Sequence, residues 1–118
     1  MEENYTFDKK EDISIEQIQE VVAKYFNINK EALILKKDKR VDIRYYRRIA
    51  MYLCRHLGNK GIFKISLAFG GTDSTIAMHA INVIKYEIEN GNQVTKRFVE
   101  ELTDILNKEM EKGDKNNN

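Results

Sequence analysis

The chain has 118 residues, 42 % of them hydrophobic and 33 % charged, with no proline, no tryptophan and one cysteine. This length suits one domain with a sizeable core, since two domains would each fall near the lower limit for independent folding. The composition excludes collagen-like, proline-rich and disulfide-scaffold classes; no apolar run reaches the about 18–20 residues of a membrane helix, and the polar N-terminus is no signal peptide, so a cytoplasmic setting is expected.

The formal net charge of +1 conceals a segregation. Residues 1–35 sum to −4 and residues 65–118 to −3, whereas residues 36–64 reach +8. Ten cations lie in that middle block (Lys36, Lys37, Lys39, Arg40, Arg44, Arg47, Arg48, Arg55, Lys60 and Lys64), against Asp38 and Asp42. Such a block attracts a polyanion locally even in a nearly neutral protein.

Residues 1–12 have no period and read as a tail. Ser14, with Gln17 three positions on, opens a helix whose apolar positions are Ile15, Ile18, Val21, Val22 and Tyr25 and which ends near Phe26–Asn27. Asn29 caps a short second helix through Leu33 or Leu35, and residues 36–40 form a basic loop. Asp42 is the expected cap of a third helix over 43–57, with Tyr46, Ile49, Ala50, Leu53, Cys54 and Leu57 inward, the arginines largely on the other side, and Gly58 as its left-handed C-terminal cap. A fourth helix covers 62–69 and breaks at Gly70-Gly71. Thr72 or Asp73 caps a fifth, whose inner stripe Ile76/Ala77, Ala80/Ile81, Ile84 and Ile88 runs towards Gly91. A last helix, about 95–111, buries Phe98, Leu102, Ile105 and Leu106 before a polar tail over 112–118. The expected fold is all-α, a compact five- to six-helix domain over 13–111.

A short helix, a glycine turn and a longer helix make a helix-turn-helix, whose second helix enters the major groove of DNA by its N-terminal residues. Here those residues are Thr72, Asp73, Ser74 and Thr75, with Met78 and His79 one turn on. Small hydroxyl and carboxylate groups bond base edges or touch a thymine methyl, and a helix N-terminus favours phosphate. No carboxylate pair, triad, metal-ligand cluster or cofactor fingerprint accompanies them, so no enzyme, metal or cofactor is expected.

The stretch Ile65-Ser66-Leu67-Ala68-Phe69-Gly70-Gly71-Thr72-Asp73-Ser74-Thr75-Ile76-Ala77-Met78-His79-Ala80 resembles the signature of the C-terminal DNA-binding domain of DnaA, the bacterial replication initiator, which typically reads I-G-x-x-F-G-G-R-D-H-T-T-V-x-H-A. The resemblance extends to Ile15–Ile28, the loop 36–40 and Arg47–Leu53, and spans roughly residues 13–107. It implies a helix-turn-helix that binds double-stranded DNA, with an arginine of the basic loop in the minor groove.

Departures accompany it. Thr72 stands for the family's Arg, Ser74 for its His and Ile76 for its second Thr; its prolines are replaced around Tyr45/Tyr46 and at Phe63, and one residue is inserted before Ile49. Loss of the Arg and His contacts, about 1–3 kcal/mol each, implies weak or altered base preference, carried by Asp73 and Thr75. No P-loop motif of a nucleotide-hydrolysing module occurs, so a stand-alone bacterial DNA-binding protein is expected, regulating transcription or replication at the nucleoid. The expected DNA-contacting set is Lys36, Lys37, Lys39, Arg40, Arg47, Arg48, Lys60, Thr72, Asp73, Ser74, Thr75 and His79. Replication or transcription proteins are further expected partners, and a membrane is not. The rival reading is a protein-interaction module that kept the fold and lost base readout.

Overall fold

The periodic apolar positions resolve into helices in a computed structural model that describes residues 13–34 and 40–117, with side chains to Glu111. Lys36, Lys37 and Lys39 lie outside the described residues. The elements are α1 (Ile15–Tyr25), a 3-10 turn (Lys30–Leu33), α2 (Val41–His56), α3 (Ile62–Ala68), α4 (Ser74–Glu89) and α5 (Gln93–Asn117). Among the described residues there is no strand.

The start of α1 follows its sequence signal, with the Gln17 amide donating to Ser14 Oγ at 3.0 Å. The start of α2 does not. Arg40 occupies the cap position and Asp42 lies inside the first turn, where its Oδ1 accepts from the adjacent Ile43 amide at 2.8 Å. Acidic charge there suits the helix N-terminus without capping it. Gly58 is also not the left-handed residue expected; Asn59 takes that conformation, with φ 57°. Gly58 serves close approach instead, because a Cβ there meets the Cys54 carbonyl oxygen at 3.0 Å and Ile18 Cδ1 at 3.2 Å. The last helix starts two residues earlier than expected, where Asn92 Oδ1 accepts from the Val94 and Thr95 amides, and its backbone continues to Asn117, through the stretch expected as a polar tail.

α2 is the central element. It packs most extensively on α4 and also meets α1, the 3-10 turn, α3 and α5. Its Ile49, Ala50, Leu53 and Cys54 are wholly enclosed with Ile18, Val22, Leu33, Ile65, Phe69, Ile84, Leu102 and Leu106. Phe98, expected inside, is half-buried, in an aromatic cluster with Tyr25, Phe26 and Tyr45. The burial of Cys54 pushes its thiol up to about 12, so it stays protonated and apolar in character.

Candidate nucleic-acid interface

The turn between α3 and α4 is built by short-range geometry. Phe69 is fully buried and anchors the end of α3. Gly70 then turns the chain with φ 85°, a region where a Cβ is strained. The Gly70 amide donates to the Leu67 carbonyl at 3.0 Å and the Gly71 amide to the Ser66 carbonyl at 2.8 Å. Ser66, 1 % exposed, crosses the turn and donates from Oγ to the Asp73 carbonyl at 3.1 Å. From α1, the buried Gln19 donates to the Ala68 carbonyl at 3.1 Å, so the end of α3 is satisfied from outside the motif. Neither Ser66 nor Gln19 stands out by composition or motif. Their signal is a polar residue within an apolar helical stripe.

Asp73 caps α4. Its Oδ1 accepts from the Thr75 amide at 2.9 Å, and hydrogen bonding by Thr75 holds its carboxyl below the ordinary 3.8. Thr72, Asp73, Thr75 and His79 are exposed and Ser74 is half-buried, so the expected base-facing residues sit at the open end of the second helix.

The cations divide. Arg44, Arg47 and Arg48 of α2 line a pocket of about 160 Å³ together with Met51 and with Ile76, His79 and Ala80 of α4. The fold thus carries positive side chains from α2 to the first two turns of α4. Arg40, Arg44 and Arg48 share a second concavity at the start of α2, beside the end of the basic loop. Arg44 is an addition to the expected contact set; it lies one turn before Arg48.

Arg47 departs from expectation. It is 5 % exposed, donating from Nε to the Leu33 carbonyl at 2.8 Å and from Nη2 to the Ala32 carbonyl at 3.0 Å. A planar fork suits two neighbouring carbonyls, and the side chain ties the 3-10 turn to α2 while also bordering the pocket shared with α4. Lys60, half-buried in the α2–α3 loop, has its backbone engaged by Cys54 and by Arg55 Nη1. It is not among the residues lining the pocket at the α4 start. The His56 ring lies tilted against Tyr52, with centroids 4.3 Å apart; burial first, then the charges of Lys85 and Arg55, hold its imidazole below the ordinary 6.5.

Ile76, expected in the inner stripe, is 51 % exposed, and Ala77 takes the inward position at 1 %. Among the described residues no group of three or more His, Cys, Asp or Glu gathers as a metal site.

Comparison with known proteins agrees with this geometry. The family profile described as the bacterial DnaA protein helix-turn-helix matches residues 15–84, which run from the first residue of α1 well into α4. The chain belongs to that family. The chain is 34 % identical over 95 residues to the chromosomal replication initiator protein DnaA of Rhizobium johnstonii, covering 80 % of this chain and 19 % of that protein. It is 36 % identical over 93 residues to the protein of the same name in Limosilactobacillus fermentum, covering 79 % and 21 %. The chain therefore spans about a fifth of the length of the curated relatives it matches.

Proposed function

We propose that this DnaA-family chain binds double-stranded DNA, the start of α4 entering the major groove while Arg44, Arg48 and the basic loop hold phosphates. One observation carries the reading. The open N-terminal turns of a helix-turn-helix lie beside cations delivered by a different helix, at one pocket lined by Arg44, Arg48 and His79. Phosphate contacts set position and the α4 turn faces the bases.

The finer reading is sequence-tolerant or altered recognition, in a regulator of replication or transcription working in the cytoplasm at the nucleoid. It rests on Thr72 and Ser74, whose side chains are too short for the reach of the family's arginine and histidine. No helix among the described residues is long and apolar enough to cross a membrane. No catalytic role is assigned to any residue.

A gel-shift with random-sequence duplex, repeated across salt concentrations, tests the reading. Binding at low salt that weakens as salt rises is expected. Site selection from a random pool then returns either no motif or one unlike the family's pattern. Absence of binding at low salt overturns the DNA reading. It then favours a protein-interaction module, which the exposed Phe63 (58 %) and Leu67 (53 %) on the outer side of α3 fit better.

A further inference from the structure

An isolated exposed isoleucine is ordinary on a protein surface. Ile76 is not isolated in that sense: it stands in the first turn of α4, and its pocket neighbours are Arg44, Arg47, Arg48, Met51, His79 and Ala80. The helix could bury it, and buries Ala77 instead. An apolar side chain thus stands among groups suited to phosphate, on the helix that meets base edges.

We propose that Ile76 is a specificity-determining residue which reads thymine C5-methyl groups, so that this chain prefers duplexes carrying thymine along the major groove. This rests on the DNA-binding reading above and names what that site selects. The major-groove edges of the four bases present nitrogen and oxygen donors and acceptors, and thymine alone adds a methyl. A branched aliphatic side chain has nothing to offer a donor or acceptor, but it gains by covering a methyl. Its β-branch also leaves one strongly preferred rotamer in a helix, so little freedom is lost on contact. Arg44, Arg48 and His79 around it hold the backbone and fix its depth in the groove. Thr72 and Ser74, the positions flanking Asp73, offer only short hydroxyls, so hydrogen-bond readout competes weakly with the apolar contact.

The test uses the full chain and two duplexes of identical sequence, one with thymine and one with uracil throughout, titrated at one salt concentration by fluorescence anisotropy. Uracil keeps every hydrogen-bonding group and removes only the methyl. Affinity is expected to drop roughly four-fold for each methyl lost from contact. Ile76→Ser is expected to bring the thymine-to-uracil ratio close to one, Ile76→Val to keep most of it, and neither to change the salt dependence. Equal affinity of the unmodified chain for both duplexes overturns the inference while leaving DNA binding intact, and this arm does not depend on any variant folding. A ratio that persists in Ile76→Ser also overturns it. Binding to neither duplex overturns the underlying DNA-binding reading together with it.

Discussion

Adjacent arginines of α2 differ in burial and in the partners they hold. Arg47, which borders the pocket shared with α4, is buried and donates to the carbonyls of Leu33 and Ala32, whereas Arg48 lines the same pocket from a half-buried position. Arg47→Ala leaves two carbonyls without their charged donor, and hydrogen bonds to charged groups contribute about 1.5–3 kcal/mol each. The expected outcome is a stability loss of about 3 kcal/mol, seen as a lower urea midpoint at unchanged slope, with DNA affinity of the folded variant preserved. Arg47→Lys rescues little, because a single ammonium does not fork between two acceptors. Arg48→Ala is expected to do the reverse: its unfolding midpoint stays in place, and its affinity drops across all sequences with a salt slope shallower by about 1. The two roles are partly legible in the amino-acid sequence. Arg47 lies four residues after Ile43 and three before Ala50, both buried, so helical spacing alone puts it on the inner face. The density of arginines between Arg40 and Arg55 hides that position behind a simpler reading of charge.

At the level of elements, the local signals that carry information are those closed within four residues. Ser14 caps as its spacing to Gln17 indicates, Asp73 is the one of the two candidates Thr72 and Asp73 that caps α4, and Gly70 turns where the glycine pair stands. Long-range contacts decide the rest. Gly58 is set by the Cys54 carbonyl four residues before it together with the approach of Ile18 from α1, and Gln19 reaches the end of α3 across 49 residues; a window of sequence contains neither long-range contact. Ile76 and Ala77 lie next to each other on α4, and both fit the inner stripe by period. The tight packing of α4 on α2 and α3 selects the smaller. The Asp73 cap yields a pH prediction. Its carboxyl titrates below the ordinary 3.8 in the folded state, so its contribution is present above that value and is lost as pH falls through the folded value. Asp73→Asn keeps a good cap and cannot titrate. The stability difference between parent and Asp73→Asn is therefore expected to be larger at about pH 7 than at about pH 2.5, measured by denaturant unfolding at both. An unchanged difference removes Asp73 from the acid sensitivity of this helix start.

Over the whole molecule, nearly balanced charge coexists with a segregated field. The residues from 36 to 64 sum to +8, and the remaining segments return the total to +1. Because charges beyond a Debye length of about 8–10 Å are screened at physiological salt, a bound phosphate backbone senses the local block and not the total. Apart from the buried Arg47, that block holds Arg40, Arg44, Arg48, Arg55, Lys60 and Lys64 along with Lys36, Lys37 and Lys39. Engagement of about four to six phosphates gives a slope of roughly −4 to −5 in log K against log salt. The location of the charge is tested by paired variants. Replacing Lys39 and Arg40 by alanine is expected to weaken binding equally on unrelated sequences and to reduce the slope by about 2. Replacing Lys96 and Arg97 removes the same formal charge from the start of α5, where Arg97 lies 3.9 Å from the Glu101 carboxylate in an acidic segment, and is expected to leave slope and affinity nearly unchanged. Equal losses from the two pairs mean that the total charge governs binding. Loss confined to Lys39 and Arg40 means that the polyanion lies along the basic loop and the start of α2.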